Sequence, residues 1–227
     1  MGDTRPTLSE RLARVRAEVS DAARDAGRDP AEITTIVVTK FHPAELVREL
    51  AELGVTDVGE NRHQDAAPKA AALRDLALTW HFIGQLQSNK VRAVLEYATV
   101  VQSIDRASLV AAIESTGLPI EAFIQLNLTD DPNRGGVAPG ELDALTERVL
   151  TAPNILLRGV MAVAPLGEDP RAAFRRVRES SERVRLLAPD ADALSIGMSG
   201  DFREAVLEGA THLRIGTAIT GNRPGGG

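Results

Sequence analysis

Near the start of the chain the apolar positions return every three or four residues: Leu8, Leu12, Val15, Val19 and Ala22. That spacing lays them along one stripe of a helix over 7–27, with Gly27 as its stop. The texture then changes to a β-branched run, Ile33-Thr34-Thr35-Ile36-Val37-Val38-Thr39, the pattern of a strand covered on both faces. From there the two periods alternate. Further strands are predicted at 56–59, 79–83, 99–103, 122–127, 156–163, 193–197 and 212–215. Helices are predicted at 43–53, 61–76, 88–96, 106–115, 140–150, 170–187 and 202–208. This order predicts an α/β chain: a single (β/α)8 TIM barrel with an extra N-terminal helix. A doubly wound open sheet alternates in the same way, but no G-x-G-x-x-G follows the first strand. No linker divides the chain, so residues 1–227 are expected to form one domain with 222–227 as a flexible tail. The longest polar interruption is the loop 129–136.

Composition narrows the function classes. Of 227 residues, 43% are hydrophobic and 26% charged, ordinary for a globular protein. Aromatics are only 3%, so Ala, Val, Leu and Ile must build the core. A net charge of −6 argues against a nucleic-acid partner, which would need a basic face. The absence of cysteine excludes disulfides, thiolate metal sites and cysteine nucleophiles. No run approaches the ~18 apolar residues of a membrane span, so no membrane partner is expected. The N-terminus lacks the apolar stretch of a secretory signal, and Pro6 stands where a myristoylation motif needs Ser or Thr. A cytoplasmic location is expected.

Barrels keep their chemistry at the carboxyl ends of the strands. There the chain offers Lys40, Gly59-Glu60-Asn61, His81, Ser103, Asn127, Met161, Gly197-Met198-Ser199 and Arg214-Ile215-Gly216-Thr217. No carboxylate and imidazole fall at metal-ligand spacing, and no serine sits in a G-x-S-x-G elbow. Lys40 reads either as a rim lysine reaching water or as a carbonyl-trapping amine. In the second case Val37, Val38 and Phe41 would desolvate it and lower its pKa. Alternation puts His212 and Arg214 on one face of the last strand. Arg214 reads either as the partner of an interior carboxylate or as a donor to a heterocyclic ring nitrogen, since guanidinium can only donate. Ile215-Gly216-Thr217-Ala218-Ile219-Thr220-Gly221 reads as a small-residue turn whose amides can approach an anion, and Gly197-Met198-Ser199-Gly200-Asp201 belongs to the same region. Asp201-Phe202-Arg203-Glu204 also fits a capping box, and Asn61 can simply cap the helix after it. His81 reads as an interior residue as readily as an acid or base. An aldehyde, a ring nitrogen and a phosphate together describe pyridoxal 5′-phosphate.

The sequence resembles the pyridoxal phosphate homeostasis protein family, the YggS/PROSC-like proteins. The matching stretches are 37–40, Gly59-Glu60-Asn61, 81–90, Gly159-Val160-Met161, 194–199 and 214–219, spread over almost the whole chain in the family's order. The resemblance implies a barrel like the alanine racemase N-terminal domain, with Lys40 carrying the cofactor as a covalent aldimine. It implies cofactor contacts from Asn61, Ser199, Arg214, Gly216 and Thr217, and His81 and Met161, which lie within the shared motifs, are grouped with them. Metal ligands and catalytic residues are not expected. Two positions depart from the family's pattern: Arg134 stands where a lysine is frequent, which puts in doubt any transfer role of that lysine, and Gln85 where proline is frequent.

The family is regarded as a carrier or regulator of vitamin B6 pools without established turnover. Racemisation needs a second acid/base on the far face of the cofactor, supplied in alanine racemase by a separate domain, and only residues 215–227 follow Arg214 here. The expected role is therefore a monomeric pyridoxal phosphate carrier, with dependent enzymes as possible clients. The alternatives are a slow amino-acid racemase using Lys40 and His81 as bases, and a cofactor-free protein-binding module.

Overall fold

The structure, a computed structural model, describes residues 6–129, 131 and 134–223. Its first helix, α1 (Leu8–Asp25), opens on a capping box: Thr7 Oγ1 accepts the Glu10 amide, and the Glu10 carboxylate accepts the Thr7 amide. Gly27 follows it at φ +68, the left-handed position that favours glycine just past a helix end.

Eight parallel strands then close into a barrel in chain order: β1 (Thr34–Val38), β2 (Asp57–Glu60), β3 (Thr79–Phe82), β4 (Val100–Ile104), β5 (Ile120–Gln125), β6 (Ile155–Met161), β7 (Ala193–Ser195) and β8 (His212–Ile215). β8 pairs back on β1, with Ile36 beside Arg214. The crossover helices are α2 (Ala44–Glu52), α3 (His63–Ala72), α4 (Val91–Val94), α5 (Ala107–Glu114), α6 (Leu142–Leu150), α7 (Pro170–Leu187) and α8 (Phe202–Leu207). The predicted barrel and its leading helix are present. Among the described residues no helix is long and apolar enough to cross a membrane.

Three local expectations are corrected. The segment read as a turn after β8 is a short helix, α9 (Thr217–Thr220), with Gly216 at its start. Asp201 makes no side-chain cap to α8; its Oδ1 accepts the Met198 amide at 2.6 Å instead. Asn61 does not cap α3, whose first flanking residue is Arg62. Residues 224–227 of the expected tail, and 130, 132 and 133 of the loop after β5, lie outside the described residues.

Alternation along the strands divides two environments. Val37, Val58, Leu213 and Ile215 join the apolar shell between barrel and helices. Inside the barrel a smaller apolar group, Val100, Phe123, Met161 and Ala193, stands apart from that shell. The rest of the interior includes polar side chains from β2, β3, β4, β7 and β8. The register slips between β5 and β6 at Ala122/Phe123, and Gly159 makes the slip possible. It sits at φ +154, and a Cβ there would lie 1.9 Å from the Ala193 carbonyl oxygen.

Gly159→Ala is expected to destabilise the barrel by at least about 2 kcal/mol in chemical denaturation. Gly117→Ala, at φ +69 with nothing within 4 Å of its Cβ, should cost only about 1 kcal/mol of backbone strain. Equal costs for the two would refute the close approach as the cause.

Candidate functional site at the barrel mouth

Strand parity brings one ring of positions to the carboxyl mouth. Ile36 and Val38 share the inward side of β1, with Lys40 two residues beyond, and Asp57 and Gly59 that of β2, with Asn61 just past its end; a Cβ on Gly59 would touch Ile36 and Val38. Arg214 and Gly216 share the inward side of β8, and Ser195 and Gly197 that of β7.

β1 ends at Val38, and Lys40 lies in the turn beyond it. The His42 amide donates to the Thr39 carbonyl at 3.1 Å, and Phe41 adopts φ +70. Tight turns of this kind usually place glycine there, and a bulky residue in that region marks strain held by its surroundings. Arg223 covers the Phe41 ring at 4.4 Å and Arg62 at 5.9 Å. The expected desolvation of Lys40 is not seen. Lys40 is exposed, its Nζ stands 5.9 Å from the Phe41 ring centroid, and Val37 turns outward into the apolar shell.

Behind that turn, Thr39 is tied down from three sides. Its amide donates to the Gly59 carbonyl at 3.0 Å, Lys69 Nζ donates to its carbonyl at 2.9 Å, and its hydroxyl donates to Glu60 Oε1 at 2.7 Å. Lys69 also pairs with Glu60 at 2.6 Å, both side chains nearly out of solvent. The neighbouring Asn61 keeps a buried Oδ1 with no partner among the described residues. Gly84 packs directly on its backbone, since a Cβ there would lie 2.2 Å from the Asn61 carbonyl oxygen.

Arg214 is buried and makes no bond to a carboxylate among the described residues. Nη1 donates to the Ser195 carbonyl at 2.6 Å and to Ser195 Oγ at 2.8 Å; Nη2 donates to the Ala162 carbonyl at 2.9 Å. Of the five N–H groups of a guanidinium, the Nε–H and one on Nη2 find no partner among the described residues. Burial lowers its pKa to about 10, opposed by the negative charge of Asp201, so it stays a cation and a pure donor at neutral pH. Ser199 Oγ accepts the Ala218 amide at 3.3 Å, which draws the loop after β7 against the start of α9, where Gly216 and Thr217 lie. Met161 is buried in the barrel interior beside Phe123 and Ala193.

His81 sits deeper. Both ring nitrogens are engaged: Nε2 with Asp57 Oδ1 and Nδ1 with Gln102 Nε2, each at 3.0 Å. The structure therefore separates His81 from the mouth residues and links it to them through Gln102 and Ser195, whose Oγ donates to Gln102 Oε1 at 2.7 Å. Sequence reasoning singles out Ser103 on β4 and misses both Gln102 and Ser195. The available signal is parity: both are polar residues on the inward side of their strands. Asn127 serves its own loop, donating from Nδ2 to the carbonyls of Asp131 and Arg134. Arg134 lines a cavity of about 210 Å³ with Gln125 and Asn127. Gln85 lies so close to Gly135 that a Cβ there would come within 2.3 Å of its amide. A larger cavity, about 320 Å³, lies at the opposite end of the barrel under α1.

Burial raises the Asp57 carboxyl, but hydrogen bonds from His81 and Thr56 outweigh it and leave the group below its usual value. Burial, with the nearby His81 and Arg158, pushes His212 down to about 4.

The family description "alanine racemase, N-terminal domain" matches residues 11–224. The pyridoxal phosphate homeostasis protein of Pseudomonas aeruginosa is 43% identical over 96% of each chain, and that of Escherichia coli 37% identical over 95% of this chain and 97% of its own. PipY of Synechococcus elongatus, solved with PLP bound, superposes with a TM-score of 0.83 at 34% identity, covering 94% of this chain and 99% of that one.

The depressed His212 fixes one sign of pH dependence. The unfolded chain takes up that proton near pH 6.5 and the folded chain only near 4. Its stability contribution is therefore complete above 6.5 and is lost as pH falls through that window. Urea unfolding should show His212 costing roughly 2 kcal/mol between pH 7.5 and 5, and His212→Asn should remove that much of the slope. An unchanged slope would contradict the burial of the ring.

Proposed function

Because the chain belongs to the pyridoxal phosphate homeostasis proteins and carries the alanine racemase N-terminal domain, we propose that it binds pyridoxal 5′-phosphate at the barrel mouth. On this reading it holds the cofactor reversibly and releases it, rather than turning over a substrate. The observation that carries the proposal is the buried Arg214 guanidinium, anchored on Ser195 and Ala162 with two N–H groups left over. Such a group calls for an acceptor at the mouth, and an unprotonated ring nitrogen is one.

The other mouth residues fit the same ligand. Asn61 Oδ1 is buried without a partner, Ser199 Oγ has its hydroxyl hydrogen uncommitted, and Gly216 lets backbone amides approach an anionic phosphate. Met161 would floor the ring, and Thr217 would stand beside the phosphate. Lys40 would hold the aldehyde: its amine forms a C=N bond, one water leaves, and addition of water reverses the step. The bound cofactor supplies an electrophilic aldehyde and an electron-withdrawing ring. The exposure of Lys40 leaves that bond open to water and to competing amines, which supports exchange with solvent and with apo-enzymes that need the cofactor. The racemase alternative has less support, because His81, its second base, has both ring nitrogens engaged inside the barrel.

Borohydride reduction of the loaded protein followed by peptide mass mapping tests the assignment. The expected result is a single reduced adduct on Lys40, lost in Lys40→Ala. An adduct on Lys69, or one that survives Lys40→Ala, would overturn it. Incubation with single-enantiomer amino acids should show no Lys40-dependent loss of optical activity.

A further inference from the structure

The bonds below Arg214 continue through the barrel interior, and their donors all run one way. Arg214 Nη1 donates to Ser195 Oγ at 2.8 Å, Ser195 Oγ to Gln102 Oε1 at 2.7 Å, Gln102 Nε2 to His81 Nδ1 at 3.0 Å, and His81 Nε2 to Asp57 Oδ1 at 3.0 Å. The chain starts on a cation and ends on a carboxylate, and each hydrogen follows from the one before. Ionised Asp57 can only accept, so His81 Nε2 carries the proton, and in the neutral imidazole Nδ1 accepts. Gln102 must then offer its NH2 to His81 and its oxygen to Ser195. Ser195 must give its hydrogen to Gln102 and take one from Arg214. The three middle side chains are buried, so water cannot substitute for any of these bonds.

We propose that Ser195, Gln102 and His81 are positioning residues for Arg214: the relay to Asp57 holds the guanidinium so that its two unbonded N–H groups meet the ring nitrogen of a ligand at the mouth. This rests on the cofactor reading above and deepens it. Without the relay the guanidinium can turn about its remaining carbonyl contacts, and a hydrogen bond is lost with a modest change in angle. The relay therefore serves one atom of the ligand, which separates it from a packing role that would serve the whole site.

That difference supplies the test. Gln102→Met keeps the length of the side chain and removes its donor and acceptor. Binding is measured by fluorescence titration for pyridoxal 5′-phosphate and for an analogue with C–H in place of the ring nitrogen. The variant should bind the cofactor about tenfold more weakly and with a shifted absorption maximum, while its affinity for the analogue stays within about twofold of wild type. Equal losses for both ligands would show a packing role and overturn the proposal, as would no loss for either. Ser195→Ala, which removes one oxygen, should show the same selectivity at a smaller size and carries the test if Gln102→Met does not fold. Failure of the wild-type protein to bind the cofactor would instead sink the cofactor reading, and the relay with it.

Discussion

A guanidinium enclosed by eight strands has no water to retreat to. Arg214 keeps its charge inside the barrel because two main-chain carbonyls and the Ser195 hydroxyl accept from it, and because burial takes its pKa only to about 10. That requirement shapes the neighbouring strands. An unpaired buried polar group costs about 1–3 kcal/mol, so Ser195 needs an acceptor, Gln102 needs His81, and His81 needs Asp57. The apolar filling usual in such barrels is gathered where Val100, Phe123, Met161 and Ala193 meet, with Ile36 and Val38 buried on β1.

The mouth above this floor is built differently. Lys40 stands on a turn whose following residue is held at φ +70, a conformation that costs an L-residue about 1–2 kcal/mol. The turn persists because Thr39 is bonded through its amide, carbonyl and hydroxyl to Gly59, Lys69 and Glu60. The buried Lys69–Glu60 pair thus acts locally, fixing the main chain one residue before the exposed amine. A long, exposed side chain is placed on a backbone anchored by these bonds.

Much of this was legible in the residues, and the failures have physical causes. The β-branched run at 33–39 and the stripe from Leu8 to Ala22 read correctly because burial imposes their periods. The helix 170–187 read to the residue, with Pro170 in its first turn and Asp169 accepting from Arg171 and Ala172. Motifs placed Lys40 and Arg214 at strand ends. Composition could not show that Val37 faces away from Lys40, because that depends on parity within the barrel and not on proximity in the chain. The Asp201-Phe202-Arg203-Glu204 pattern misled for a related reason: the Met198 amide competes for the same carboxylate oxygen and holds it. The relay escaped because its bonds join β2, β3, β4, β7 and β8, and no local pattern reports a contact such as Ser195 to Gln102, 93 positions apart.

If the mouth holds the cofactor as proposed, its two halves divide recognition from exchange. On the proposed reading, affinity for a ring that accepts a hydrogen bond would depend on Arg214, which is buried and anchored on Ser195 and Ala162. The rate at which an aldehyde is taken up or surrendered would then depend on Lys40, which is exposed. A site that buried both groups would bind more slowly and hold on longer; one that exposed both would lose the selectivity of a fixed donor. Separating them along the barrel axis would let selective binding coexist with ready release, which is the combination a carrier of a reactive aldehyde needs and a catalyst working on a sequestered substrate does not.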